Sequence, residues 1–172
     1  QWSRWGWLHG FVGVLVDYPV TTNDAGEMLI STAADEQANA IRPYWVGYRA
    51  GDVINSEYER VGARDVLSML MLRECVTEGK DRYGEQDVVY YREFLREGDV
   101  VTVETHKSVG GESPQSLGPP RRIMGQVEIP FHWFPHGHIL APLEVQPPFL
   151  DLAYTNLGHY RVSSDRRYSL KL

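Results

Sequence analysis

The sequence predicts an α+β fold in which an amphipathic helix leads into a small β-barrel, behind an aromatic-rich N-terminal extension. Three observations carry this. An apolar stripe of Val66, Leu67, Leu70, Met71 and Val76 runs through residues 56–78 at roughly helical spacing. The stretch REFLREGDVVTVE, Arg92–Glu104, places a Gly-Asp turn directly before an alternating strand. Short β-branched or aromatic runs then recur to the end of the chain.

Taken in order, Phe11–Val16 is short, β-branched and flanked by turn formers, which predicts a strand. Thr21–Gly26 supplies turn chemistry before Met28-Leu29-Ile30, completing a candidate hairpin. The Ala-rich segment 32–41 reads as a short helix stopped by Pro43. Residues 44–52, YWVGYRAGD, read as an aromatic loop. Ser56 and Glu59 have the spacing of a capping box, so the helix is expected to start there and to stop at Gly79. Cys75 is expected as a buried residue of that helix. Strands are expected at 88–91, 99–104, 123–131, 138–145 and 157–162. The Gly/Pro/Ser-rich segment 108–120 is a loop, long for a compact barrel and expected to be mobile.

A length of 172 residues suits one domain with extensions. The apolar fraction of 42% comes without any run long enough to span a bilayer, so no transmembrane helix is expected. Cys75 is the single cysteine, which excludes an intrachain disulfide and a multi-cysteine zinc site, and fits a reducing compartment. The start at Gln1 rather than Met fits a processed or trimmed product.

The net charge of −6 is unevenly placed. Residues 1–99 carry 10 Lys and Arg against 17 Asp and Glu, and residues 100–172 carry 7 against 6. Local basic clusters count for more than totals where a phosphate backbone is the partner. They make Arg121, Arg122, Arg161, Arg166, Arg167 and Lys171 the candidate RNA-binding residues. Trp2, Trp5, Trp7, Tyr44 and Trp45 are the candidate protein interface, because such aromatics are enriched where protein surfaces meet.

Catalysis finds little support. His132, His136 and His138 with Glu144 invite a metal reading, but Pro135 and Gly137 interrupt the strand that would align the rings, and no metal or other cofactor is expected. No G-x-S-x-G elbow and no phosphate-cradling Gly-rich loop occurs.

The pattern from Phe94 through Gly98-Asp99-Val100-Val101 and Val103, then Arg121-Arg122, Gly125-Gln126-Val127-Glu128-Ile129 and the closing Tyr160-Arg161-Val162 and Arg166-Arg167-Tyr168-Ser169-Leu170, resembles the bacterial-type large-subunit ribosomal protein L-nineteen family in a divergent organellar form. The resemblance covers about residues 64–172. It implies an SH3-like barrel and a non-catalytic structural role in the mitochondrial large ribosomal subunit, bound to ribosomal RNA and neighbouring ribosomal proteins. Residues 1–63 would then be an extension with a hairpin and a short helix, and 64–172 the helix plus the barrel. Three other readings stay open. The order of elements up to Val127–Phe131 is similar to part of a picorna-like viral jelly roll, and a protein-binding subunit of another large organellar assembly or a metal-dependent small-barrel enzyme would use the same elements.

Overall fold

The computed structural model describes residues 2–17, 42–81, 84–123 and 125–169. The described chain forms helix α1 (Trp2–His9), strands β1 (Phe11–Asp17) and β2 (Tyr44–Arg49), a 3-10 turn (Ala50–Asp52), then β3 (Val53–Val61), β4 (Arg64–Asp81), β5 (Gly84–Glu97), β6 (Val100–Val109), β7 (Gln115–Ser116), β8 (Arg121–Arg122), β9 (Phe131–Pro135), β10 (His138–Ala141), β11 (Glu144–Gln146) and helix α2 (Leu150–Ser169). Two compact units result, one of residues 13–132 and one of 1–12 with 133–172.

The larger unit is an antiparallel meander of long strands, in the order β3-β4-β5-β6-β7, with β8 also paired to β6. Two-residue turns set its register. Gly62-Ala63 joins β3 to β4, pairing Val61 with Arg64, and Gly98-Asp99 joins β5 to β6, pairing Glu97 with Val100. In both turns a glycine with positive φ takes the first central position, +65° at Gly62 and +60° at Gly98, the placement that a right-handed strand twist favours in a type II′ hairpin.

Side chains alternate across the sheet, so Val66, Leu70 and Leu72 of β4, Val88 and Phe94 of β5, and Val101 and Val103 of β6 share one face and are buried. Val14 and Leu15 of β1, Tyr48 of β2, Ile129 and Phe131 complete the buried set of this unit. β1 runs between β2 and β9 in a three-stranded sheet, and the Val16 amide donates to the Pro130 carbonyl at 2.9 Å. Gly13 has to be glycine, because a Cβ there would lie 2.2 Å from Cζ of Phe131.

In the smaller unit α1 ends at Gly10, whose φ of +92° and amide bond to the Gly6 carbonyl are those of a glycine helix stop. Strands β10 and β11 form a hairpin around Pro142-Leu143, and Leu143 is a non-glycine residue at φ +58°. The proline before it presets the first half of a type II turn, which forces the following residue to positive φ.

Several expectations are overturned. No closed barrel exists among the described residues: the strands lie in open antiparallel sheets, so the SH3-like barrel is replaced by a meander with open edges. The helix expected at 56–78 is the β3–β4 hairpin. Strand β4 is apolar on both faces, with Leu67, Met69 and Met71 opposite Leu70 and Leu72, so the period of two disappears and the spacing imitates a helix. Cys75 is accordingly on a strand and exposed. The strand expected at 157–162 is the middle of α2, and the aromatic loop 44–52 is β2 with the 3-10 turn. Among the described residues between 123 and 131 only Phe131 is in a strand, and 138–145 is two strands rather than one. The strands expected at 88–91 and 99–104 lie within β5 and β6, apart from Asp99 in the turn, and Phe11–Val16 within β1. The hairpin limb 28–30, the helix of 32–41 and Lys171 lie outside the described residues.

Candidate interaction surface

Helix α2 follows Pro147-Pro148. The Leu150 amide donates to the Pro147 carbonyl at 3.1 Å and the Ala153 amide to Phe149 at 3.0 Å, so the first turn is closed. Asp151 in that turn and Arg166 and Arg167 in the last one complement the helix dipole. Leu150, Tyr154, Leu157, Arg161, Ser164 and Tyr168 recur at three- and four-residue steps, flanked by Ala153 and Tyr160, which gives a stripe that is apolar from Leu150 to Tyr160 and is then interrupted by Arg161 and Ser164 before Tyr168. Nothing among the described residues covers it. Tyr154 is 64% exposed, Leu157 44%, Tyr160 72% and Tyr168 78%, whereas an ordinary surface helix turns such a stripe onto a core.

In the same unit α1 presents a second aromatic surface. Gly6 is buried against the His136 ring so closely that a Cβ would sit 2.2 Å from Nδ1. That nitrogen donates to the Phe134 carbonyl at 3.0 Å, fixing the ring. Trp7 meets the His136 ring edge-on at 6.1 Å and lies 5.8 Å from Phe149. Arg4, Trp7, Leu8 and Phe149 line a recess of ≈ 430 Å³. The recess is wide open, which suits a protuberance of a partner protein better than a small molecule that needs most of its surface buried. Trp2 and Trp5 are half-buried on the same helix.

The larger unit holds its own charged network. Arg92 of β5 donates to Asp17 of β1 at 2.7 Å and lies 3.5 Å from Glu74 of β4, and its guanidinium sits 5.2 Å from the Phe94 ring. The Tyr48 hydroxyl donates to Glu74, and that of Tyr44 to Asp17 at 3.2 Å. Burial, then the bond to Glu74, pushes the Tyr48 phenol far above its ordinary range. Burial opposes the charge on Arg92, but the bond to Asp17 and its attraction outweigh that and raise the guanidinium pKa. The network joins four strands around the largely buried Arg92–Asp17 pair, with Tyr44 exposed at its margin, and so ties β1 and β2 to β4 and β5.

The candidate residues from the sequence therefore fall into separate places. Trp2, Trp5 and Trp7 share α1, while Tyr44 and Trp45 are in β2 of the other unit, Trp45 being 69% exposed. Arg161, Arg166 and Arg167 are exposed on α2, whereas Arg121 and Arg122 are exposed on the edge strand β8. Sequence reasoning missed the apolar face of α2. Its three- and four-residue spacing was the available signal, hidden by the β-forming residues Tyr160 and Val162.

The fold and surface thus define a class: an antiparallel-β protein with a 20-residue helix whose apolar stripe stands uncovered among the described residues. No family model matches the sequence, and no curated protein was found to match it.

Proposed function

We propose that the chain is a structural, non-catalytic subunit of a protein assembly built from copies of itself, with α2 as the docking element. The observation that carries this is the uncovered stripe of Tyr154, Leu157, Tyr160 and Tyr168. Helices in proteins owe most of their stability to the packing of an apolar face, and that of α2 is left exposed among the described residues. Homo-oligomers of closed symmetry are the commonest soluble assemblies.

Native mass measurement of the full chain tests the reading. The expected result is a species above the monomer, reduced to the monomer by Leu157→Asp with Tyr160→Asp. A chain that is monomeric up to about 100 μM, far weaker than micromolar association energies allow for a stable complex, overturns it.

A second reading is favoured by the arginines. Arg161, Arg166 and Arg167 on one exposed helix, and Arg121 and Arg122 on β8, offer guanidinium forks suited to phosphate oxygens, as a component of a mitochondrial large ribosomal subunit would need. Filter binding to ribosomal RNA tests it. Alanine at Arg121, Arg122, Arg166 and Arg167 should flatten the salt dependence by about 0.7 to 0.9 per lost phosphate contact. Absence of RNA binding, or an unchanged slope, overturns it.

A further inference from the structure

Across the β5–β6 hairpin Glu93 stands directly opposite Glu104, and His106 follows two residues later on the same face of the sheet. Like charges directly opposite on antiparallel strands destabilise the pair, and here both carboxylates are about three-quarters buried, with side-chain exposures of 27% and 25%. The His106 Nε2 is 3.7 Å from Glu93 Oε2 and 3.7 Å from Glu104 Oε1. All three ligand atoms lie within 4.8 Å of one another. The Ser116 hydroxyl donates to Glu104 Oε1 at 2.7 Å, orienting that carboxylate from β7.

From this geometry we infer that Glu93, Glu104 and His106 form a binding site for one divalent cation of the zinc or manganese class. Zinc held at about 2.0 to 2.2 Å by nitrogen and oxygen places tetrahedral ligand atoms about 3.4 Å apart. The His106–carboxylate separations need to shrink by only a few tenths of an ångström to reach that. One imidazole and two carboxylates are a borderline-to-hard donor set, which suits zinc, manganese or ferrous iron and disfavours soft cuprous copper. The cation replaces the repulsion between the two facing carboxylates with a shared counter-charge. Three protein ligands leave at least one position for water or for a carboxylate of a partner. The site lies on the sheet face opposite Phe94 and Val103 and does not depend on the docking role of α2.

Isothermal titration of the full chain with Zn²⁺ and with Mn²⁺ tests the inference. One ion per chain is expected, with binding weakened about tenfold by Ser116→Ala, since residues that orient a ligand commonly matter about 10- to 100-fold, and weakened further by Glu93→Gln, Glu104→Gln or His106→Ala. Should a variant fold poorly, Mn²⁺ added to the unmodified protein still reports the place, because its paramagnetism broadens nearby amide resonances. Broadening centred on residues 91–95 and 102–108 supports the site. Broadening centred on His132, His136 or His138, affinity unchanged in the three variants, or no binding at millimolar cation overturns it.

Discussion

At Gly98 the backbone has φ +60° and a built Cβ meets nothing within 4 Å, so the cost of any larger side chain there is conformational rather than steric. Gly98→Val should lose roughly 1 to 3 kcal/mol, whereas Gly98→Asn, a residue that tolerates the left-handed region, should lose far less. Urea unfolding of the two variants checks the order; equal midpoints would show that the turn does not require positive φ. Gly13 is the opposite case, with space as the constraint, since its Cβ would meet the Phe131 ring at 2.2 Å. Leu143 shows a third arrangement, in which a preceding proline holds an ordinary residue at φ +58°.

At the level of elements, Arg92 connects strands that are distant in sequence, through Asp17 75 residues away and Glu74 18 away. Its side chain is only 15% exposed and that of Asp17 16%, so the ion pair between them is largely buried. Removing one partner of such a pair leaves a charge buried without compensation, which costs about 3 to 5 kcal/mol. Arg92→Met should show a loss of that size in urea unfolding, and Arg92→Met with Asp17→Leu should recover part of it. A double variant no more stable than the single one would place the energy elsewhere. By contrast Arg64–Glu128 is an exposed pair 3.8 Å apart and contributes little.

The whole molecule should lose stability on the alkaline side. Burial and then Glu74 hold the Tyr48 phenol protonated far above its ordinary value of 10.0, and burial also raises Tyr58 and Tyr44. Below about pH 10 the phenol is protonated in both folded and unfolded chains, so its contribution is fully present. Above that value the unfolded chain ionises while the folded one does not, and stability falls by about 1.4 kcal/mol per pH unit for one such group. Urea midpoints between pH 8 and 11 should therefore decline, and decline less steeply in Tyr48→Phe. Identical slopes in the two proteins would remove Tyr48 as the cause.

By itself the sequence determined the local features. Phe11–Val16 is a strand because five of its six residues are apolar and the first five positions are buried, and the Gly98-Asp99 turn is legible because glycine tolerates positive φ at little cost. That turn even fixes which residues face each other, so the pairing of Glu93 with Glu104 was readable once the segment was taken as a hairpin. The expectation of no metal came from weighing His132, His136 and His138 with Glu144 and the lack of cysteine partners, and did not consider the Glu93, Glu104 and His106 group. Tertiary structure decided the rest. Residues 56–78 are strands rather than a helix because both faces of β4 pack or half-pack, with Leu70 and Leu72 wholly buried and Met69 and Met71 half-buried, and pairing with β3 and β5 satisfies the backbone that a helix would have satisfied internally. Conversely Leu157–Val162 is helical despite its β-forming residues, because local hydrogen bonds close α2 where no strand pairs with it. Propensity is a weak prior in both places, and the partner available to the backbone overrides it.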